Sequence, residues 1–250
     1  MNFRKLYIII LLLLGIATTH AQSLTDNASD AYQKGDYARA IELYEQSAAR
    51  DGISAALYYN LGNAYYKNRQ YPQAILNYER ALLLEPRNED ARFNLDMARA
   101  HITDKIEPVG TFFLVQWITA VRDLFSSNGW ATIAVLTFFL FLCGVVLYFF
   151  TSKVGLRKIG FFGGLLALLI SLTSNHFATE QKELLTHRNR AIIFAPTITI
   201  KSSPAASGTD LFVLHEGTKV TLLDKVGDWC EILLDDGNRG WIPANKLEII

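Results

Sequence analysis

The chain has 250 residues, which is enough for one or two domains, and half of them are hydrophobic. Its 24 basic and 24 acidic residues balance, so the net charge does not indicate nucleic acid as a partner. Its two cysteines are too few for a disulfide framework or a cysteine-based metal site, and no cofactor is expected.

Residues 1–21 have the pattern of a secretion signal. Arg4 and Lys5 form a basic start, a short apolar core follows, and the segment closes with a small-residue cleavage signature that ends at Ala21. The alternative is an uncleaved membrane anchor, although the apolar core is short for a membrane span. The pattern predicts an exported chain whose mature part begins near residue 22.

Residues 22–107 contain an internal repeat. The pairs that recur 34 positions apart are Tyr37 and Tyr71, Ala40 and Ala74, Ile41 and Ile75, and Tyr44 and Tyr78. Gly62, Ala81 and Pro86 occupy positions typical of the tetratricopeptide repeat, in which small residues let two helices pack closely. The third copy supplies one helix, which begins at Glu89, so the region resembles about two and a half repeats. Such a short stack predicts that its ends pack against a neighbouring interfacial helix, a partner or another copy.

The concave face of a tetratricopeptide stack is lined by the first helix of each repeat and binds peptides or partner proteins. Asp26, Asn60 and Asn94 are 34 residues apart, so they form one row along this face. In peptide-binding members of the family, asparagines at this position and three residues further on hold the ligand backbone, and Asn63 matches the second position. The candidate partner-binding set is Asn60, Asn63, Asn94, Tyr59 and Tyr66. The alternative is a row of solvated polar residues.

The middle of the chain contains three apolar segments. Residues 111–127 predict an amphipathic helix in a membrane interface, because the segment is short, aromatic and charged. Residues 130–150 and 159–178 contain no Asp, Glu, Lys or Arg and are long enough to cross a lipid bilayer as helices. A loop at 151–158 joins them, and a charged linker at 179–190, expected to be a short helix, follows.

The loop at 151–158 is basic, and this predicts the orientation of the hairpin. Basic residues in short loops favour the cytoplasmic side, so Lys153, Arg157 and Lys158 place this loop in the cytoplasm. The secretion signal independently exports the N-terminus. The expected location is therefore a bacterial inner (cytoplasmic) membrane, with the N- and C-terminal domains in the periplasm. The glycines expected to let the two helices approach closely are Gly155, Gly160, Gly163 and Gly164.

Residues 191–250 change to alternating apolar residues and tight turns, which predicts about five short strands in a small barrel. The segment resembles bacterial SH3-type domains. The residues that carry this resemblance are Gly217, the GDW of Gly227 to Trp229, Gly237, and the GWIPANKLE of Gly240 to Glu248.

The candidate contact surface of this domain consists of Trp229, Trp241 and Pro243. Polyproline-binding SH3 domains have a groove tyrosine where Lys246 stands here, so the resemblance implies the fold without polyproline binding. The alternative for Trp241 is a half-buried structural role.

The chain contains no hydrolase, metalloprotease or nucleotide-loop motif, which predicts a non-enzymatic protein. The order of signal, repeats, interfacial helix, two spans and SH3-like domain resembles the E-type proteins of the Bat (Bacteroides aerotolerance) operon along essentially the whole chain. The resemblance implies membrane-anchored von Willebrand A-domain proteins as partners and, indirectly, a MoxR-type ATPase. It also implies a role in aerotolerance or oxidative-stress resistance.

The expected fold class is a multi-domain membrane protein with an α-helical tetratricopeptide solenoid, a two-helix transmembrane hairpin and a small all-β SH3-like barrel. The predicted function is a scaffold or adaptor that presents its repeats and SH3-like domain to the periplasm. The alternative is an envelope sensor that binds peptidoglycan peptides through the SH3-like domain.

Overall fold

The structure is a computed structural model that describes residues 22–107, 109–110 and 112–250, so the predicted secretion signal lies outside the described residues. The chain divides into two compact units. The first contains the described part of Met1–Leu82 together with Asn88–Val109 and Asn189–Ile250, and the second contains Leu83–Arg87 and Gly110–Arg188.

Five helices open the first unit: α1 (Gln22–Gln33), α2 (Tyr37–Asp51), α3 (Ala55–Lys67), α4 (Tyr71–Leu84) and α5 (Glu89–Arg99). Three of them start at a polar cap, because the side chains of Asp36, Ser54 and Asn88 accept a hydrogen bond from the backbone N–H three residues ahead. The helical repeat region predicted from the 34-residue period is thus confirmed. Helices α1 with α2 and α3 with α4 form two pairs, and α5 is the first helix of a third.

Gly62 shows why the repeat needs small residues. A Cβ atom at this position would lie 2.7 Å from the ring of Tyr78, a side chain that is almost fully buried. The two helices of the pair therefore approach to a distance that only glycine permits.

The first unit ends in a domain of seven strands: β1 (Arg190–Ile193), β2 (Thr197–Lys201), β3 (Asp210–His215), β4 (Lys219–Val226), β5 (Trp229–Leu233), β6 (Arg239–Pro243) and β7 (Leu247–Ile249). They form one antiparallel sheet in the order β3-β2-β6-β5-β4-β1-β7. The apolar core includes Ile193, Ile232 and Ile242, all with no exposed surface, and also Cys230. We call residues 190–250 the SH3-like domain.

The predicted number of five strands was wrong. The apolar run at 191–204 predicts one strand, but Pro196 has no N–H to donate and separates β1 from β2. Strand β3 was missed although Pro204 and the Ser207-Gly208 pair mark a turn before it.

The second unit contains α6 (Phe113–Arg122), α7 (Ser127–Phe150) and α8 (Val154–Thr186). Helices α7 and α8 are long and apolar enough to cross a membrane, by length and composition. Their large apolar side chains, such as Leu136, Phe139 and Leu165, are mostly exposed.

Several predicted boundaries in this unit differ from the structure. The loop expected at 151–158 is three residues long, because α8 already begins at Val154 and so includes Arg157 and Lys158. The linker expected at 179–190 continues α8 to Thr186, because no glycine or proline interrupts the helix there. The amphipathic helix expected at 111–127 is helical from Phe113 to Arg122.

Glycines bring α7 and α8 into backbone contact. A Cβ atom on Gly144 would lie 2.8 Å from the Gly160 carbonyl oxygen and 2.9 Å from the Gly164 Cα. The expectation for Gly160 and Gly164 therefore fits the structure. It was wrong for Gly155 and Gly163, where an added Cβ would meet no described atom within 4 Å.

The C-terminal end of α6 is fastened to the hairpin. Trp130 donates its indole N–H to the Arg122 carbonyl oxygen at 2.6 Å, and Gln181 donates to the Asp123 carboxylate at 3.0 Å. Most of the rest of α6 is exposed, including Phe113 and Trp117.

Candidate functional site

Two of the predicted asparagines meet on the face formed by the first helices of the repeats. Asn94 of α5 donates its side-chain N–H to the Asn63 side-chain oxygen of α3 at 2.8 Å. Asn94 also donates to the hydroxyl of Tyr59 at 3.3 Å. The same Asn63 oxygen accepts a hydrogen bond from the hydroxyl of Tyr78 at 2.8 Å. We call this set, Asn63, Asn94, Tyr59 and Tyr78, the asparagine network.

Within the asparagine network, one hydrogen-bond donor group and one acceptor have no partner among the described residues. The Asn63 amide nitrogen and the Asn94 side-chain oxygen have no hydrogen-bond partner among the described residues, and both side chains are half-buried. A peptide backbone offers the complementary pair, a carbonyl oxygen and an N–H.

Tyr78 fixes the orientation of Asn63. The side chain of Tyr78 is 1% exposed, and this burial raises the pKa of its hydroxyl. The hydroxyl therefore stays protonated and donates to the Asn63 oxygen, which directs the Asn63 amide nitrogen away from Tyr78.

The other two predicted residues lie outside the asparagine network. Asn60 is half-buried and its side chain has no hydrogen-bond partner in the part of the chain that the structure describes. Tyr66 belongs to a separate aromatic group: its ring packs edge-on against Tyr71, and its hydroxyl lies 3.3 Å from His101 Nε2. The 34-residue row therefore does not give the contacts, because Asn94 meets Asn63 and not Asn60.

Sequence reasoning missed two exposed apolar residues on α5. Phe93 and Met97 follow Tyr59 and Asn63 by 34 residues, so they occupy the equivalent positions of the next repeat. Their exposed fractions are 66% and 43%. The same period that revealed the asparagine row could have identified them.

The structure brings Trp229, Trp241 and Pro243 onto one face of the SH3-like domain. Trp229 pairs directly with Pro243 across β5 and β6, and Trp241 pairs with Glu231 two positions along the same face. All three side chains are half-buried, while Cys230 and Ile242 on the opposite face are buried in the core. The half-buried state expected for Trp241 is what the structure shows.

A buried carboxylate joins the repeats to the SH3-like domain. Glu79 of α4 accepts hydrogen bonds from Lys219 of β4 at 2.7 and 2.9 Å and from Arg99 of α5 at 2.5 Å. Burial alone would raise the pKa of Glu79, but the charges of Lys219 and Arg99 outweigh it and hold the pKa below its ordinary value. Glu79 is therefore ionised and counters two cations from different domains.

A second carboxylate lies where the chain leaves α5. Asp104 accepts hydrogen bonds from the backbone N–H and ring Nδ1 of His215 at 2.7 and 2.8 Å and from the Thr218 hydroxyl at 2.7 Å. Burial would raise the pKa of Asp104, but the hydrogen bonds from Thr218 and His215 lower it overall.

Apolar and backbone contacts complete this junction, which we define by Glu79, Asp104, Ile102 and the SH3-like residues that touch them. A Cβ atom on Gly217 would lie 2.5 Å from Ile102 Cγ2, so the two surfaces are in close contact. Arg80 donates to the Ile249 carbonyl oxygen at 2.7 Å. The sequence predicted that an interfacial helix, a partner or another copy would cover the end of the stack. The structure places the SH3-like domain there instead. The contacts that hold it join residues far apart in the sequence, such as Glu79 with Lys219 and Asp104 with His215.

The junction does not cover the tryptophan face. Strand β4 begins at Lys219 in the junction and ends at Val226, which pairs with Trp229. At roughly 3.3 Å per residue, Trp229 lies about 20 Å along the strand from Lys219.

Comparison with known protein families matches three segments. A family described as bacterial SH3 domain matches residues 196–248. Two families described as tetratricopeptide repeat match residues 24–52 and 55–88. Both kinds of domain are typically non-catalytic interaction modules, and no enzymatic family is indicated.

No curated protein matches the chain. Among solved structures the chain is similar to one described as "Second TPR of Spaghetti (RPAP3) bound to HSP90 peptide SRMEEVD". The identity is 30%, the match covers 41% of this chain and 84% of that chain, and the TM-score is 0.31.

Proposed function

We propose that this chain, which carries tetratricopeptide repeats and a bacterial SH3 domain, is a non-enzymatic adaptor that binds peptide segments of partner proteins at a membrane surface. The observation that carries the proposal is the unpaired amide nitrogen of Asn63 beside the unpaired side-chain oxygen of Asn94. Tyr78 and Tyr59 hold both amides in place, so little side-chain entropy remains to be lost on binding.

In this proposal the asparagine network holds the backbone of an extended peptide. We call the helix face that carries the network the groove. The Asn63 nitrogen donates to a peptide carbonyl oxygen, and the Asn94 oxygen accepts a peptide N–H. The exposed side chains of Phe93 and Met97 lie on the same helix as Asn94 and offer an apolar contact to a peptide side chain.

Replacing Asn94 with leucine is expected to weaken peptide binding about tenfold to a thousandfold. The variant removes one hydrogen bond to the peptide and two that orient the network, each worth about 0.5–1.5 kcal/mol. Peptides selected from a random phage-displayed library against the full chain in detergent micelles would be measured by fluorescence anisotropy. Gln46→Ala on α2 is the control and should bind as the unaltered chain does. Equal affinity in the Asn94 variant would remove the groove from the proposal.

We also propose that α7 and α8 anchor the chain in the bacterial inner membrane. Their exposed surfaces are too apolar to face water, and lipid chains suit them. Three basic residues, Lys153, Arg157 and Lys158, cluster at one end of the hairpin, which favours the cytoplasm for that end. The repeats and the SH3-like domain then lie in the periplasm, and the exposed helix α6 lies in the periplasmic interface of the inner membrane.

A cysteine placed at Ser152 is expected to be protected from a membrane-impermeant thiol reagent in intact cells, because the turn faces the cytoplasm. Ser207→Cys, on an exposed turn of the SH3-like domain, is the matched control and should be labelled. Both variants would carry Cys143→Ala and Cys230→Ala. Labelling of residue 152 with protection of residue 207 would show that the orientation is the reverse of the one proposed.

The resemblance to E-type Bat proteins supports a more specific role. From this resemblance we propose von Willebrand A-domain membrane proteins as partners and a role in aerotolerance or oxidative-stress resistance. A MoxR-type ATPase would be contacted indirectly, because the proposed cytoplasmic part is only a short turn after α7.

One observation favours a second candidate function, an envelope sensor for peptidoglycan peptides. Trp229 and Pro243 form an apolar pair that the junction leaves uncovered. Sedimentation of the full chain with cell-wall sacculi, lost in Trp229→Ala, would support this function. Failure of the unaltered chain to sediment would exclude it.

A further inference from the structure

We propose that the SH3-like domain completes the repeat stack in the place of the helix that would pair with α5, so that its docking and peptide binding in the groove are energetically linked. The second half of this inference rests on the proposed groove function. The first half rests only on the contacts of the junction.

The repeat period identifies the position that the SH3-like domain fills. Tyr65 and Glu45 form a hydrogen bond between α3 and α2, and the residues 34 positions later, Arg99 and Glu79, form the corresponding ion pair between α5 and α4. The contact between one repeat and the next thus recurs at the same positions along the stack. At the end of the stack, Lys219 of the SH3-like domain adds a third member to it.

No second helix follows α5 in the described residues 100–107. Instead, this segment contacts the SH3-like domain. Asp104 is bound by His215 and Thr218, Ile102 is in close contact with Gly217, and Ile106 packs against the core of the domain. Glu79 of α4 binds both Arg99, the last residue of α5, and Lys219 of the SH3-like domain. The SH3-like domain therefore contacts α4 and the segment that follows α5, the part of the chain in which the first two repeats have their second helix.

Helix α5 connects the junction to the groove. Arg99 and the segment after it face the SH3-like domain, while Asn94 faces Asn63 across the groove. A terminal helix without a neighbour frays, since stability in repeat stacks comes largely from contacts between adjacent units. Loss of docking would disorder α5 and with it Asn94. By linkage, a peptide bound to Asn94 stabilises docking.

Amide hydrogen exchange of the full chain in micelles tests the first half of the inference. We expect Asp104→Asn combined with Lys219→Met to speed exchange in α5 about tenfold or more, with exchange in α1 unchanged. Lys201→Met is the matched control, because Lys201 pairs with Asp210 inside the SH3-like domain. Unaltered exchange in α5 of the double variant would overturn the inference.

A cross-linked variant covers the case in which the double variant fails to fold. A Cβ atom on Gly217 would lie 3.5 Å from the Cβ of Ile102, within the range of a disulfide. Gly217 has a φ of +86°, so a cysteine there strains the oxidised and the reduced form alike, and the two forms of one variant are the matched pair. The variant Gly217→Cys with Ile102→Cys, in a Cys143→Ala background, is compared oxidised and reduced. Slower α5 exchange and tighter peptide binding in the oxidised form support the inference. Identical behaviour of the two forms contradicts it.

The two proposals fail separately. If Asn94→Leu leaves peptide affinity unchanged while α5 exchange responds to the junction, the groove is not the binding site, yet the SH3-like domain still completes the stack. If Asn94→Leu weakens binding while α5 exchange ignores the junction, the groove function stands and the completion of the stack is overturned.

Discussion

Replacement of Glu79 by glutamine is expected to lower the free energy of unfolding of the first unit by about 2 to 3 kcal/mol. The side chain of Glu79 is 8% exposed and is the acceptor for both Lys219 and Arg99. Glutamine keeps the shape of the side chain but removes the anion between these two cations, and Arg99 keeps only the exposed Asp96 at 3.9 Å. The expected loss is below that of a fully buried pair, because Lys219 and Arg99 retain some contact with water.

Glu42→Gln on α2 is the matched control for this measurement. Glu42 forms an ion pair with Arg39, but both side chains are at least half exposed, so water screens their attraction. The expected loss is below about 1 kcal/mol. Chemical unfolding of the full chain in micelles, followed by tryptophan fluorescence, compares the two variants. Equal effects would mean that Glu79 is no more important than a surface carboxylate.

Replacement of Gly144 by leucine is expected to separate α7 from α8 and to destabilise the second unit by about 3 kcal/mol. An added Cβ would lie 2.8 Å from the Gly160 carbonyl oxygen and 2.9 Å from the Gly164 Cα. Both are backbone atoms, so no side-chain rotation relieves the overlap. Ser171, which donates to the Ala134 carbonyl oxygen at 2.8 Å across the same contact, would lose its partner as the helices part.

Gly163→Leu serves as the control of equal size. A Cβ on Gly163 has open space within 4 Å, so the same added side chain should leave the helix pair intact. The thermal unfolding midpoint of the full chain in micelles, followed by far-ultraviolet circular dichroism, measures the difference. A lower midpoint for Gly163→Leu than for Gly144→Leu would show that the glycine contact does not hold the helices together.

Features that depend on neighbours in sequence could be predicted. The 34-residue period identified the repeat helices, because each repeat places the same residue types in the same contact, as Gly62 and Tyr78 illustrate. The apolar composition identified α7 and α8. The period also predicted which helix face carries the asparagines. It did not predict that Asn94 would meet Asn63, because that contact depends on how far successive repeats are displaced along each other.

The junction could not be predicted. Glu79 and Lys219 are 140 residues apart, and Asp104 and His215 are 111 residues apart. Periodicity and turn signals report contacts within an element or between adjacent ones, and an isolated Lys or Asp reads as an ordinary solvated charge. The ion pairs only become evident when the two segments of the first unit are brought together.

The first unit is built from two segments that are far apart in the sequence, and this limits how many times the chain between them can cross a membrane. The repeats before Val109 and the SH3-like domain after Asn189 fold into one unit, so both must occupy the same aqueous compartment. If lipid surrounds α7 and α8, the intervening chain crosses the bilayer an even number of times. Two crossings satisfy this rule, and a third crossing by α6 would violate it. In the proposed topology, contacts such as those of Asp104, which join the two segments, therefore require α6 to stay on their side of the bilayer.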